Sequence, residues 1–502
     1  MTCYLLPIGG TGIRVMRALA HLCGAGCFSG VDFRVMCVDS DGVNGDKNRL
    51  METLNQYRAV QRGAPHLLPD IVPCGANGVW SPLNVITQSM SQMVSAGLMS
   101  GEGRAVFEFL FSQPERETIL EGGVYGRTSI GSYFISQQIL TPMNQFTAEW
   151  ADFFGAPDAG RDKVFIIGSM FGGTGASGIP TIARILKSMP LTADLPIGAA
   201  FVMPYFRPAP STDDSRTDLP IDWRTFNAKA KTALSFYIDQ NLDDIFQVMY
   251  FIGEQEDNFM WVENHVNGAA QRNKAHIVEA HAAAFLKDFL KMPGDGAFHV
   301  RFYGLGEESE TPPVGPELIN NVVTDTRIFD RLMDFFFFAS FYTKYAYPSI
   351  RAGESQCVMG WLRRLTHDCG LGDEESAALN DYCQSYLTWM LEMMVLTDSH
   401  GAIQWDRNNP GVAWLRTDGD YAQLFDGKEL DCRVKGIKRM RHYDWEYLRA
   451  FADVVKNETR ARNTGEDIAV VLSGKRFVPN GGQTRLECWI EAALELCGRR
   501  KE

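Results

Sequence analysis

The chain of 502 residues is 45% hydrophobic and 22% charged, which is the composition of an ordinary globular protein with length for roughly two to four domains. Its formal net charge of −13 argues against general affinity for nucleic acid or for an anionic membrane surface. The eleven cysteines contain no CxxC pair, and no apolar run is long enough to span a bilayer. We therefore expect a cytoplasmic protein that neither binds nucleic acid nor inserts into a membrane.

The chain begins with a predicted strand, a glycine-rich loop and a helix. Residues 4–8 are apolar, and residues 13–22 carry apolar side chains at helical spacing. The loop between them contains Gly9, Gly10, Thr11 and Gly12. Glycines let the backbone approach a ligand closely, and a helix N-terminus presents free N–H groups, so this loop is a candidate phosphate site. Arg14, in the first turn of the helix, could meet a phosphate with its guanidinium fork.

An acidic pair follows the second predicted strand, residues 33–38. Asp39 and Asp41 lie on the same side of an extended segment, so both could face a magnesium ion through water. The alternative is a turn formed by the aspartates and Gly42. The residues alone leave both interpretations open.

Residues 44–120 are broken into loops by prolines between short helical patterns. A glycine-rich segment at 122–131 follows and precedes a predicted helix. Within this segment, three residues have side chains that can donate hydrogen bonds to a phosphate: Arg127, Thr128 and Ser129.

A second strand, glycine loop and helix unit occupies residues 164–183. The apolar, β-branched run at 164–167 predicts a buried strand. The loop after it interleaves hydroxyl groups with glycines: Gly168, Gly172, Gly173, Thr174, Gly175, Ser177 and Gly178. A phosphate chain is the expected ligand, and the alternative is a tight turn that needs glycine for packing. The spacing is neither that of a Walker A loop nor GxGxxG.

The rest of the pattern predicts an α/β region followed by a mainly helical one. Further strands are predicted at 196–203, 246–252 and 299–304. Further helices are predicted at 49–57, 85–98, 133–140, 223–237, 271–289, 328–347, 377–396, 445–456 and 486–497. Asn273, His276 and Glu279 lie at the start of one of these helices, and the last two are neighbours at helical spacing.

Three of these segments resemble the tubulin/FtsZ superfamily. The run FGGTGASGIPTIA at 171–183 is similar to its signature loop, with Phe171 in place of the first glycine and Ser177 in place of the last. The run IGGTGIRVMRAL at 8–19 is similar to the FtsZ pattern GGGGSNAVxRM. The Asn-x-Ala-His-x-x-Glu pattern at 273–279 is similar to bacterial tubulin-like proteins outside the cell-division branch.

This resemblance implies a Rossmann-type α/β nucleotide-binding domain with a parallel sheet over residues 1–290, followed by a mainly helical domain over 291–502. It implies GTP or GDP with Mg²⁺ as the ligand, with Asp39 and Asp41 near the metal and Asn273 facing the base. Guanine and adenine both stay open, because Arg14 replaces the asparagine that FtsZ uses at the base. The residues implied to bind the nucleotide are Gly9, Gly10, Thr11, Gly12, Arg14, Asp39, Asp41, Arg127, Thr128, Phe171, Gly172, Gly173, Thr174, Gly175 and Asn273.

The catalytic loop of the family, NxDxxD, is not recognisable after the helix at 271–289, where residues 293–296 read PGDG. The catalytic residues are therefore unassigned, and hydrolysis is expected to be slow or to depend on assembly. We expect self-association or a protein partner bound through the C-terminal domain. One alternative is a nucleotide-gated scaffold without turnover that binds a protein partner. A second alternative is a dinucleotide-binding enzyme.

Overall fold

The protein is described here by a computed structural model. The described residues are 1–39, 45–74, 89–93, 100–117, 128, 130–133, 135, 144–208, 223–239, 241–254, 256, 259–262, 273–294, 296–303, 328–351, 373–394, 396–397, 403–404 and 481–498. No helix within these ranges is both long enough and apolar enough to cross a membrane.

A seven-stranded sheet forms the centre of the fold, with all its neighbouring strands parallel. In spatial order its strands are β3, β2, β1, β4, β5, β7 and β9. The eleven described strands are β1 (Thr2–Ile8), β2 (Asp32–Val35), β3 (Ile71–Pro73), β4 (Lys163–Ser169), β5 (Ile197–Val202), β6 (Phe206–Pro208), β7 (Val248–Ile252), β8 (Met260–Val262), β9 (His299–Tyr303), β10 (Leu396–Thr397) and β11 (Ile403–Gln404). The α/β class with a parallel sheet is therefore confirmed.

The sheet is built from continuous apolar runs because helices cover both of its faces. Strands β4 and β5 are buried at every residue. Side chains alternate between the faces, so that Cys3 and Leu5 of β1 join one hydrophobic cluster while Tyr4 and Leu6 join another.

Helices follow most of the strands along the chain. They are α1 (Gly9–Gly24), α2 (Gly45–Gln61), α3 (Met90–Met93), α4 (Gly101–Leu110), α5 (Gln113–Glu117), α6 (Asn144–Phe154), α7 (Gly173–Ser188), α8 (Phe226–Ile238), α9 (Ile277–Lys291), α10 (Ile328–Phe341), α11 (Tyr347–Arg351), α12 (Asp373–Met394) and α13 (Arg485–Gly498). One face of the sheet packs against α1, α2 and α9, and the other against α6, α7 and α8.

The C-terminal region is mainly helical, as the sequence predicts, and it packs directly on the helices that cover the sheet. Helices α10, α12 and α13 share one hydrophobic cluster with α1 and α2. The hydroxyl of Tyr382 on α12 donates a hydrogen bond to the carbonyl of Ala20 on α1 (3.0 Å). Strand β9, which follows residue 290, forms an edge of the main sheet. The domain boundary at residue 290 stays a prediction.

The structure differs from the sequence pattern at a few elements. Strand β2 ends at Val35 rather than at residue 38, and Val38 makes only an isolated bridge to Ile8. The helix predicted at 328–347 is interrupted by a π-helical turn, Tyr342–Ala346. A small second sheet, with the strand order β11, β10, β8 and β6, is not anticipated by the sequence pattern.

Some predicted helices lie partly or wholly outside the described residues. The helices predicted at 85–98 and 133–140 are described only in part, and the helix predicted at 445–456 lies outside the described residues.

Candidate functional site

The two glycine loops meet at the carboxyl edge of the sheet. Strand β1 leads into α1 at Gly9, and β4 leads through a short loop into α7 at Gly173. A Cβ built on Gly9 would lie 3.3 Å from the Cβ of Thr174 and 3.4 Å from the backbone N of Gly175. The chain adds strands to one side of β1 first and then to the other side, beginning with β4. Parallel α/β sheets bind ligands in the crevice at such a reversal of strand order.

The N-termini of α1 and α7 have no side-chain caps. Their N-cap residues, Ile8 and Gly172, have no side-chain atom that accepts a backbone N–H, and the first turn of each helix has no acidic residue. One of the N–H groups, that of Gly9, donates to the carbonyl of Val38 (2.8 Å). Uncapped helix N-termini carry partial positive charge and N–H donors, so two of them in contact form a favourable place for an anion.

In contrast to α1 and α7, helix α9 is capped at its N-terminus by the side chains of its own residues. The Nδ1 atom of His276 accepts from the backbone N–H of Val278 (3.1 Å), and the Oε2 atom of Glu279 accepts from the backbone N–H of His276 (3.2 Å). This reciprocal arrangement satisfies the terminus internally. Of these three helices, α1 and α7 are therefore the ones whose N-termini have no side-chain cap.

Two of the glycines are required by packing. A Cβ on Gly12 would lie 2.6 Å from the carbonyl oxygen of Ile167, and a Cβ on Gly175 would lie 2.7 Å from both the N and the O of Ser169. The packing interpretation of the glycine pattern therefore accounts for these two positions. A substitution at Gly175 would test the fold rather than ligand binding.

Phe171 anchors the loop before α7 in an aromatic cluster. Its ring centroid lies 4.8 Å from that of Phe226, 5.6 Å from that of Phe206 and 6.2 Å from that of Tyr205. This packing explains how a large side chain occupies a position that is glycine in the signature loop that residues 171–183 resemble. The loop is thereby fixed to the segment that follows β5.

Arg14 is buried in a network of protein groups behind the first loop. Its Nε donates to the Oε1 of Glu279 (2.7 Å), and its Nη2 donates to the hydroxyls of Tyr205 (2.6 Å) and Thr11 (3.3 Å). Its Nη1 forms an ion pair with the Oδ2 of Asp46 (3.4 Å). The predicted phosphate contact of Arg14 stays a prediction, and the structure places its guanidinium against the hydroxyl of a loop residue.

Tyr205 completes the centre of this network. Its hydroxyl donates to the Oε1 of Glu279 (2.6 Å) while accepting from Arg14. Burial raises the pKa of Tyr205 well above its usual value, so the hydroxyl keeps its proton at neutral pH. It therefore remains the donor that holds Glu279 in place.

Asn273 is fixed by helix α2. Its backbone N donates to the Oδ1 of Asp46 (2.9 Å) and its Nδ2 donates to the Oδ2 of the same residue (3.0 Å). Its carbonyl accepts from the Nη1 of Arg49 (2.6 Å). The predicted contact of Asn273 with a base stays a prediction, since its amide group is committed to Asp46 here.

The C-terminal region contributes a carboxylate to the same network. Glu392 of α12 accepts hydrogen bonds from the Nη1 of Arg17 (2.8 Å), from the backbone N of Ala275 (3.2 Å) and from the Nη2 of Arg49. Burial alone would raise the pKa of Glu392, but the two guanidinium groups outweigh it and hold the pKa below its usual value. Glu392 is therefore ionised and ties α12 to α1 and α2.

A small cavity lies within this network. A cavity of about 10 Å³ lies among Arg17, Asp46, Asn273, Glu279 and Trp389, which is room for roughly one water molecule. Trp389 of α12 thus lines this cavity together with Asn273.

The remaining predicted site residues are placed only in part. Asp39 is buried and follows Val38, whose carbonyl accepts from Gly9. Asp41 and Arg127 lie outside the described residues, and Thr128 is half-buried. Within the described ranges, no group of three or more His, Cys, Asp or Glu side chains could hold a metal ion. A magnesium ion at Asp39 would therefore depend on ligand and water oxygens for most of its coordination.

The fold and the site together define an α/β protein with a candidate anion site at the reversal of strand order. No family model and no curated protein matches the chain. Among solved structures, it is similar to CetZ from Methanosaeta thermophila strain DSM 6194, with 12% sequence identity and a TM-score of 0.26. The match covers 58% of this chain and 54% of the other, so the chain spans about half the length of that protein.

Several members of the buried network are not predicted by the sequence pattern, although part of the signal is present in it. Arg14 and Arg17 are two cations in an otherwise apolar helical run, which indicates buried partners. Asp46 and Arg49 have the same helical spacing on α2. Nothing in the local pattern could show that Glu392 reaches both Arg17 and Arg49 from more than 300 residues away.

Proposed function

We propose that the chain binds a purine nucleotide, GTP or GDP, with its phosphates at the N-termini of α1 and α7. The observation that carries the proposal is the contact between these two uncapped helix N-termini at the reversal of strand order. The guanine nucleotide is taken from the resemblance of the two loops to the tubulin/FtsZ superfamily.

In this proposal the backbone does most of the phosphate binding. The N–H groups of Gly10, Gly172 and Gly173 would face the phosphate oxygens, and the hydroxyl of Thr174 would add a donor. Asn273 would lie on the base side, and Arg14 would hold Thr11 in position from behind the loop. Hydrolysis of such a nucleotide depends on positioning and charge stabilisation more than on a covalent nucleophile.

The direct test is the identity of the nucleotide that copurifies with the full chain. After denaturation, anion-exchange chromatography should detect GTP or GDP in an amount comparable with the protein. Recovery of NAD instead would support the dinucleotide-enzyme alternative. A chain that neither retains nor takes up GDP at millimolar concentration would contradict the proposal.

Replacing Gly172 should separate the anion site from the fold. Gly172 has an extended backbone at the N-cap of α7, and a new Cβ would meet only a side-chain atom of Ser169 that can rotate away. Aspartate and asparagine both cap helices well, so both variants should keep the melting temperature. Gly172→Asp adds a negative charge where phosphate is proposed, so its Kd for GDP should exceed that of Gly172→Asn by about tenfold. Equal affinities for the two variants would place the phosphates elsewhere.

Asp39 should contribute more to GTP binding when magnesium is present than when it is absent. A buried carboxylate near the proposed phosphates would bind the ion through water, so Asp39→Asn should weaken GTP binding in Mg²⁺ more than in EDTA. The exposed Asp243→Asn serves as a control for the loss of one charge. Equal losses with and without the metal would instead identify Asp39 as part of a structural turn.

Turnover should not rise with protein concentration. The acids that would complete the site of a neighbouring copy are not recognisable, and α9 ends at Lys291, just before the PGDG segment. The run NNVVTDTRIFD at 320–330 fits the NxDxxD pattern poorly and lies too late in the chain. Its Asn320, Asn321 and Asp325 lie outside the described residues, and its Asp330 lies in α10. GTP hydrolysis per molecule should therefore stay low and flat while light scattering is followed. A steep rise in specific activity together with scattering would contradict this expectation.

A nucleotide-gated scaffold is the second candidate, and helix α12 favours it. Trp389 of α12 lines the small cavity beside Asn273, and Glu392 of α12 accepts from the backbone N of Ala275, so a base entering there would displace α12. Hydrogen exchange should then become faster in α12 when GDP is added, while α6 stays unchanged as an internal control. Unchanged exchange in α12 on saturation with GDP would exclude this gating.

A further inference from the structure

His276 carries its proton on Nε2. Its Nδ1 atom accepts the backbone N–H of Val278 (3.1 Å), and an imidazole nitrogen that accepts a hydrogen bond has no proton of its own. Burial, with smaller contributions from the charges of Arg14 and His281, lowers the pKa of His276 to about 3. The ring is therefore neutral near pH 7, with Nε2–H as its one donor.

This Nε2–H group has no hydrogen-bond partner in the part of the chain that the structure describes. His276 is only 3% exposed, so bulk water does not satisfy the group either. Buried donors in native proteins are nearly always paired, because an unsatisfied one loses its hydration without compensation. The cap of α9 accounts for the hydrogen bond at Nδ1, but it does not account for the buried donor at Nε2.

The ring of His276 is separated from the second glycine loop by one aromatic side chain. The ring centroid of His276 is 4.8 Å from that of Tyr205, and Tyr205 is 6.2 Å from Phe171, which immediately precedes Gly172. The hydroxyl of Tyr205 is already committed to Arg14 and Glu279. The hydroxyl beside the ring is therefore not available to accept a hydrogen bond from Nε2–H. The partner that this donor lacks is an acceptor.

We propose that the Nε2–H of His276 donates a hydrogen bond to an acceptor oxygen of the bound nucleotide. The proposal rests on the nucleotide binding proposed above and adds a specific ligand contact to it. His276 thus has two functions in one ring: Nδ1 caps α9, and Nε2 recognises the ligand. The neutral state of the ring makes this contact that of an uncharged donor.

Asparagine separates the two functions of His276. Its side-chain oxygen caps a helix as well as any residue does, but it has no group at the position of Nε2. The full-length variant His276→Asn should therefore keep its melting temperature and bind GDP about tenfold more weakly than the parent. His276→Ala should lose both affinity and thermal stability, because it removes the cap as well.

Isothermal titration with GDP and with pyrophosphate decides the outcome. If the parent binds GDP and His276→Asn binds it equally well, the proposed contact is wrong while nucleotide binding stands. If the parent does not bind GDP at all, both proposals fail. A loss seen with GDP alone assigns the acceptor to the nucleoside, and a loss seen also with pyrophosphate assigns it to a phosphate.

An NMR measurement on the parent chain tests the contact without relying on the affinity of a variant. In the full chain labelled with ¹⁵N-histidine, the Nε2 proton of His276 is identified by its absence in His276→Asn. Addition of GDP should shift this resonance and slow its exchange with water. An unchanged resonance at saturating GDP would overturn the contact.

Discussion

Replacing Glu279 by alanine is expected to lower the free energy of unfolding by about 3 to 5 kcal/mol. Glu279 is 1% exposed, and its carboxylate accepts from the Nε of Arg14, the hydroxyl of Tyr205 and the backbone N of His276. The variant leaves a buried guanidinium short of its main counter-charge and two further donors without an acceptor. Chemical denaturation of the full chain, followed by circular dichroism, measures the change.

Glu108 provides the matched control. It also lies on a helix and pairs with an arginine, Arg104, at 3.1 Å, but both side chains are largely exposed. Glu108→Ala should therefore change stability by no more than about 0.5 kcal/mol. If Glu279→Ala costs as little as Glu108→Ala, then Asp46 alone suffices to compensate Arg14, and the buried network is not cooperative.

Gly12→Ala is expected to destabilise the fold by about 3 kcal/mol or more, at the upper end of overpacking effects. The new Cβ would lie 2.6 Å from the carbonyl oxygen of Ile167 and 2.9 Å from the carbonyl carbon of Pro7. Both atoms belong to the backbone of central strands, which cannot rotate away as a side chain can. In an exposed helix the same change would raise the free energy of unfolding by up to about 1 kcal/mol. The cost of the clash must therefore exceed that gain.

Gly101→Ala tests whether the effect comes from the close approach. Gly101 lies in the first turn of α4, and a Cβ there meets nothing within 4 Å. The free energy of unfolding of Gly101→Ala should be equal to that of the parent or slightly higher. A Gly12→Ala protein that melts at the temperature of the parent would show that α1 can move away from β1 and β4, and that packing does not require this glycine.

The elements that hold the candidate site could be predicted because local patterns determine them. Apolar runs and the glycines after them located β1, β4, α1 and α7, and the spacing of alanines and aromatic residues located α9. The parallel sheet then places both loops at one edge. Residues 33–38 show the limit, since the apolar run continues beyond the last residue that pairs as a strand.

What the pattern could not supply is the reason for each glycine and the partner of each buried charge. Gly12 and Gly10 look alike in the sequence, yet a backbone carbonyl 2.6 Å from a Cβ accounts for Gly12. The bonds of Glu392 to Arg17 and Arg49 depend on how α12 docks. Such contacts join residues far apart in the chain, so no window of local sequence contains both partners.

The position of the diphosphate in a crystal structure of the full chain with GDP tests the proposed site most directly. We expect phosphate oxygens within hydrogen-bonding distance of backbone N–H groups in the first turns of both α1 and α7, with Thr174 beside them. A chain that binds GDP in solution, but whose crystals show the diphosphate away from these two helix N-termini, would contradict it.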